Sequence, residues 1–230
     1  MVNLWMIATN KIMKTVKDIR NEFIELYNNQ KLVEHNEDGG MLEIIGATFL
    51  ADQETIFADV NHEYVEAEIE WYISQSTNIN DIYGDLRQPP KAWMMAADHY
   101  GNINSNYGHL IFSKKYHSQF KQVIDELTSN PSSRRATMVY TRPQIWHEYE
   151  EGGKSDFICT NAVTYYQRGE YLNCVVQMRS NDVVYGYRND KAWQDYVLNA
   201  LCNELLLEPG DIVWQVQNLH IYPRHFKHVK

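Results

Sequence analysis

The chain has 230 residues, enough for one domain with a substantial core, and carries 30 acidic against 21 basic residues for a formal net charge of -9. Lys and Arg form no long run, so a surface that tracks a phosphate backbone, and with it direct nucleic-acid binding, is not expected, while a small anion held by a few local arginines stays open. The start, MVNLWMIATN, is too short and interrupted for a signal peptide, and no run reaches membrane-spanning length, so a cytoplasmic protein without a membrane partner is expected.

No repeat or Pro/Gly/Ser-rich linker divides the sequence, and residues 1–230 read as a single domain. Thr15 with Asp18 resembles a capping box that opens an amphipathic helix through Ile19, Phe23, Ile24 and Tyr27. A strand through MLEIIGATF follows, then a helix from Asn61 to about Ser74 and a long loop containing GDLRQPPKAW. A helix through Tyr116, Phe120, Val123 and Leu127 ends at the turn NPSS. Three strand-like runs, ATMVYT, DFICTNAVTYY and YLNCVVQM, come next. The segment MRSNDVVYGYRND reads as a polar connection, after which a helix begins near Asp190, which on its own would serve as the cap. A last strand, DIVWQVQ, leads into NLHIYPRHF. The pattern is a mixed α/β or α+β domain built on a central sheet.

Several residues stand out chemically. On a helical wheel Glu63, Glu66 and Glu70 share a polar face, whereas Glu68 falls between Tyr64 and Tyr72 near Trp71. A carboxylate there is either raised in pKa and suited to acid/base work, or reaches solvent at a wide helix edge. The three cysteines have neither zinc-ligand spacing nor the even count of a disulfide framework, so reduced thiols are expected and no metal is implied. Cys174 and Cys202 sit among aliphatic residues as ordinary core thiols; Cys159, followed by Thr160 and Asn161, sits at a polar strand end. A nucleophilic thiol needs a nearby cation, which Arg179 or Arg135 could supply only if the fold brings it close. Arg134 and Arg135 enter a strand after a turn, where adjacent side chains point to opposite faces; the pair is either a phosphate clamp or a solvated surface. His220 and Tyr222 alternate along an extended segment and share a face, either to meet a sugar hydroxyl or as satisfied core polar groups.

Taken in order, EIIGATF, EIEWY, INSNYG, NPSSRR, SDFICTN, MRSNDVVYGYRND and LHIYPRHF resemble the thymidylate synthase superfamily, and most closely its bacteriophage deoxycytidylate hydroxymethylase branch. In that superfamily a cysteine strand precedes an R-S-x-D segment, with a glycine four residues after the Asp and an asparagine four after the glycine. Here these positions carry Cys159, Arg179, Ser180, Asp182 and Gly186, with Asp190 where the asparagine stands. The resemblance implies a mixed central sheet with helices packed on it and a sheet face forming a homodimer interface. It implies that Cys159 attacks C6 of a pyrimidine nucleotide, with 5,10-methylenetetrahydrofolate as one-carbon donor. Arg179 would stabilise the thiolate and, with Ser180 and with Arg134 and Arg135 from the other subunit, hold the 5'-phosphate. His220 and Tyr222 would hold the deoxyribose 3'-hydroxyl, Glu68 would organise water near the base, and Tyr107 would help remove the C5 proton. Trp93, Asp182 and Gly186 match positions lining the folate site.

The exchange at Asp190 points to the substrate base. An asparagine amide reads the O4 and N3–H edge of uracil, whereas a protonated aspartic acid can donate to N3 and accept from the N4 amino group of cytosine. A site that leaves the wrong partner unsatisfied discriminates on the order of 10⁴-fold. The resemblance therefore implies hydroxymethylation of dCMP, with thymidylate synthesis, dUMP or CMP hydroxymethylation and a catalytically silent nucleotide-binding protein as alternatives. Three departures from the synthase pattern accompany this: FICT replaces PPCH, Thr164 stands where glutamine is common, and IIGATF has no counterpart to the arginine of an RTGT loop.

Overall fold

The computed structural model describes residues 13–34 and 40–230; the segment MVNLWMIATN lies outside them. In chain order the elements are β1 (Lys14–Thr15), α1 (Val16–Asn28), β2 (Leu42–Leu50), α2 (His62–Ser74), α3 (Lys91–Ala96), α4 (Tyr107–Phe112), α5 (Gln119–Ser129), β3 (Thr137–Val139), α6 (Ile145–Glu148), β4 (Thr160–Arg168), β5 (Tyr171–Asp182), α7 (Gly186–Leu205) and β6 (Glu208–Ile221). The strands form a six-stranded mixed sheet in the order β1-β2-β6-β5-β4-β3. β1 is parallel to β2, and the β2–β6 and β3–β4 pairs are antiparallel. No helix among the described residues is long and apolar enough to cross a membrane.

The chain divides into two compact units. The first runs through Val60 and includes Met178–Lys191 and Asp211–Lys230. Its opening is the capping box read from the sequence: the Thr15 hydroxyl accepts from Asp18 N–H at 3.3 Å, and the Asp18 carboxylate accepts from Thr15 N–H at 2.8 Å. Helix α1 then buries Val16, Ile19 and Phe23 completely, the spacing of a single helical face. Arg20 ties the following loop down, donating to the carbonyl of Ile56 (2.6 Å), the side chain of Gln53 (2.9 Å) and the carbonyl of Thr55 (3.1 Å). Strand β2 pairs with β6 from Leu42↔Ile221 to Leu50↔Val213. An aromatic core sits beneath, where Tyr187 contacts Phe49 (centroids 5.8 Å) and meets Trp214 edge-on (5.3 Å), its hydroxyl donating to the Gln53 carbonyl at 2.9 Å.

The second unit comprises Asn61–Gln177 and Ala192–Gly210. Asn61 caps α2, its side chain accepting from Tyr64 N–H at 3.2 Å. Gly108 lets α4 approach α2 closely: a Cβ there would stand 1.8 Å from the Tyr72 carbonyl oxygen. The close approach brings Tyr107 into a stack on Tyr72 (5.4 Å), whose other neighbour is the edge of Trp193 (5.0 Å). Strands β3 and β4 run in the register Thr137↔Thr164, with the two threonine hydroxyls 2.9 Å apart.

The elements depart from the sequence reading in several places: α4 and α6 have no counterpart in it, and α5 starts at Gln119, after Tyr116. Residues 178–182 belong to β5 rather than to a connection, and α7 begins at Gly186, so Asp190 lies inside the helix and does not cap it. The segment read as a loop through GDLRQPPKAW contains α3 from Lys91. Arg134 and Arg135 precede β3 rather than sit within a strand, so strand alternation does not direct them. Cys159 stands one residue ahead of β4.

Candidate active site

In the second unit, Glu68 is carried on α2 and is only 5% exposed, so it does not reach solvent at a helix edge. One oxygen, Oε1, accepts hydrogen bonds from the Tyr64 hydroxyl and, at 3.1 Å, from Trp93 Nε1, which also lies 2.9 Å from the Tyr64 hydroxyl oxygen. Tyr64 is one helical turn before Glu68, so α2 itself supplies the first partner. Trp93 comes from α3 and packs edge-on against Trp71 (5.3 Å). Burial pushes the Glu68 carboxyl up from 4.5 to about 7, the hydrogen bonds from Tyr64 and Trp93 opposing the rise. Burial and the neighbouring carboxylate push the Tyr64 hydroxyl well above its usual range, so it stays a donor. Near neutral pH Glu68 can both take and give a proton. Glu63, Glu66 and Glu70 are exposed, and Glu63 pairs with Arg87 at 3.0 Å.

Cys159 is half-buried, its Sγ 3.8 Å from the Phe157 carbonyl oxygen. Cys174 and Cys202 are buried, and burial raises the Cys202 thiol to about 11, the behaviour of an inert core cysteine. The segment before Cys159 is clasped by Asp156. Its carboxylate accepts from Asn104 N–H (2.6 Å), Ser105 N–H (2.8 Å) and the Ser105 hydroxyl (2.6 Å). Asn106 continues the clasp: its amide donates to the carbonyls of Trp71 (3.1 Å) and Ser76 (2.7 Å), while its oxygen accepts from His109 N–H (2.7 Å) and caps α4. Two buried polar residues thus bind together the approach to Cys159, the start of the helix bearing Tyr107 and the end of the helix bearing Glu68. Tyr107 itself is 4% exposed. Arg134 and Arg135 are exposed on the α5–β3 loop, and Arg135 bonds the Glu126 carboxylate at 3.0 Å.

In the first unit the end of β5 carries Arg179 and Ser180, both half-buried, then Asn181 and Asp182. Asp182 does the capping the sequence reading gave to Asp190. Its carboxylate accepts from the N–H groups of Val184 (3.1 Å), Tyr185 (2.9 Å) and Gly186 (3.4 Å), ahead of the first turn of α7. Gly186 packs close to this turn: a Cβ would lie 3.0 Å from Asn181 Nδ2. Asp190 is half-buried and accepts from Asn181 Nδ2 at 2.7 Å. His220, 6% exposed near the end of β6, meets Tyr222 edge-on at 4.8 Å, so the pair does share a face; Arg224 lies over the other ring at 4.2 Å. The His220 carbonyl accepts from Val183 N–H at 3.0 Å and fixes this end of β6 to the turn after β5.

Of the expected residues, Glu68 and Trp93 are in direct contact, His220 and Tyr222 are in direct contact, and Arg179, Ser180, Asp182, Gly186 and Asp190 follow one another along the β5–α7 corner. Tyr64, Asp156 and Asn181 were missed. The turn spacing of Tyr64 to Glu68 is visible in the sequence; Asn181 occupies the free position of R-S-x-D and carries no such signal.

A family model described as thymidylate synthase matches residues 55–230. The chain is 47% identical over 192 residues to the deoxycytidylate 5-hydroxymethyltransferase of Enterobacteria phage T4, covering 80% of this chain and 77% of that protein, with the same figures for the enzymes so named in phages T2 and T6. It is 31% identical over 162 residues to a thymidylate synthase of Fusobacterium nucleatum, covering 69% of this chain and 56% of that one. The crystal structure of thymidylate synthase from T4 phage shares the fold, with a TM-score of 0.74 at 21% identity over 92% of this chain and 78% of that one. Sequence and fold agree: the chain belongs to the thymidylate synthase family.

Proposed function

We propose that this chain is a deoxycytidylate 5-hydroxymethyltransferase. It transfers a one-carbon unit from 5,10-methylenetetrahydrofolate to C5 of dCMP and ends by adding water, giving 5-hydroxymethyl-dCMP and tetrahydrofolate for modified phage DNA made in the host cytoplasm. The observation that carries this reading is the 47% identity, over most of the chain, to phage proteins of that name.

Cys159 is the nucleophile, and of the three cysteines it is the partly accessible one. Its thiolate forms a bond to C6, which places electron density on C5. The folate donor supplies the methylene carbon that C5 takes up. The half-buried Trp93, followed by the exposed Met94 (49%) and Met95 (80%), offers a flat, polarizable surface suited to a pteridine ring; the roles of Asp182 and Gly186 toward the donor rest on the family resemblance. Tyr107 helps remove the C5 proton as the bond from the methylene carbon to the folate nitrogen breaks, which releases tetrahydrofolate and leaves an exocyclic methylene. Once water has added there, the electron pair returned to C5 re-forms the C5–C6 double bond and expels Cys159 as thiolate. Glu68 holds the water that adds to the exocyclic methylene: a carboxyl titrating at about 7 can accept a proton from that water near neutral pH.

Asp190 selects cytosine in its neutral form, donating to N3 and accepting from the N4 amino group. Arg179 and Ser180 hold the 5'-phosphate with Arg134 and Arg135 of a second copy, and His220 and Tyr222 hold the 3'-hydroxyl. The protein therefore acts as a homodimer through a sheet face. Arg135 is engaged by Glu126, so its guanidinium is already oriented, and it must share or exchange that carboxylate to reach a phosphate. The test is Asp190→Asn: preference should shift from dCMP toward dUMP, and an unchanged preference removes the basis for the base assignment.

A further inference from the structure

A neutral carboxylic acid has an ambiguity that an amide lacks. With its proton on one oxygen it presents donor and acceptor in the order that suits cytosine; with the proton on the other oxygen the order reverses and suits uracil. Asp190 alone would therefore read both bases. A discriminating site must fix which oxygen carries the proton.

Asn181 is 4% exposed at the end of β5, and Trp214 on β6 is fully buried. The indole N–H of Trp214 lies 3.2 Å from Asn181 Oδ1, and Asn181 Nδ2 lies 2.7 Å from Asp190 Oδ2. Indole nitrogen can only donate, so the oxygen of Asn181 must face it and the amide N–H must face Asp190. A flipped amide would set two donors against each other in a buried place. Packing holds the relay: the Trp214 ring meets Tyr187 edge-on at 5.3 Å, and a Cβ at Gly186 would stand 3.0 Å from Asn181 Nδ2.

We propose that Asn181, oriented by Trp214, is a positioning residue that sets the polarity of Asp190 and thereby excludes uracil. The Asn181 N–H donates to Oδ2, and a carbonyl oxygen is a better acceptor than a hydroxyl oxygen, so this bond favours the acid proton on Oδ1. In the nucleotide complex Oδ2 also accepts from the N4 amino group of cytosine, and Oδ1–H donates to N3. Uracil in the same place would set its N3–H against Oδ1–H and its O4 against Oδ2, two mismatches at once. This inference rests on the reading that Asp190 contacts the base.

The test is equilibrium binding of dCMP and dUMP by calorimetry to the wild-type protein and to Asn181→Ala, Trp214→Phe and Asp190→Asn, with a thermal melt of each variant. Loss of the Asn181 donor lets the acid proton occupy either oxygen, so the ratio of the dUMP to the dCMP dissociation constant should fall about tenfold or more, mainly by a gain in dUMP binding. Trp214→Phe keeps a large aromatic ring but frees the Asn181 amide to turn, and the ratio should fall in the same direction; it decides the matter if Asn181→Ala melts out. A purely structural role would weaken both nucleotides together with the ratio unchanged, and that outcome overturns the inference. An altered ratio in Asp190→Asn with unaltered ratios in the other two refutes the relay alone. An unaltered ratio in Asp190→Asn refutes the base assignment beneath it.

Discussion

Replacing Glu68 by Gln should change the pH dependence of stability in a direction fixed by the site. The carboxyl is raised from 4.5 to about 7 by burial, so the folded protein binds this proton more tightly than the unfolded chain does. The stability it contributes is fully present below the unfolded value and is lost as pH rises through about 7. At about 1.4 kcal/mol per pKa unit, the loss is roughly 3 kcal/mol on going from about pH 4 to about pH 8. Gln keeps an oxygen for the Tyr64 hydroxyl and the Trp93 N–H but has nothing to titrate. Urea unfolding of both proteins across this range isolates the group, because all other titrations are common to the pair and cancel in the difference. The wild-type protein should lose roughly 3 kcal/mol relative to the variant as pH rises. A difference that stays flat, or that moves in favour of the wild type with rising pH, would show that Glu68 is not a desolvated carboxyl and would remove its acid/base role.

Trp93→Phe removes an N–H that lowers the Glu68 carboxyl, so the pH at which stability falls should move above about 7 in the same titrations. Gly108→Ala would place a Cβ 1.8 Å from a backbone carbonyl oxygen that cannot rotate away, so α4 must shift from α2 at a cost of about 3 kcal/mol, measured by thermal or urea unfolding.

The sequence exposed those parts of the fold whose signals are local. The Thr15–Asp18 box and the apolar spacing of Ile19 and Phe23 locate α1 because capping and helical periodicity are short-range effects. The wheel placed Glu68 on an aromatic face but left open whether the carboxyl reached solvent; its burial depends on how α2 packs in the fold. The end of β5 was hidden because its residues are polar. Asn181 is buried by virtue of partners on β6 and α7, which hydrophobic periodicity cannot detect. The start of α7 was misplaced for a related reason: the capping carboxylate is Asp182, four residues ahead of Gly186 and separated from it by Val183, Val184 and Tyr185, so no cap stands directly before the helix. Helix α3 was masked by Pro89 and Pro90, although proline is well suited to the position just before a helix. At the site, the ordered motifs identified the residue types, while the Tyr64–Glu68–Trp93 cluster and the Asp156 clasp depend on tertiary contacts.

The most direct test of the proposed chemistry is mass spectrometry of the nucleotides formed when the purified protein and 5,10-methylenetetrahydrofolate are incubated with equal dCMP and dUMP. A hydroxymethyl group on dCMP alone is the expected product and supports both the role of Asp190 and the water-addition ending. A methyl group on dUMP would contradict both and make the chain a thymidylate synthase in activity as well as in fold.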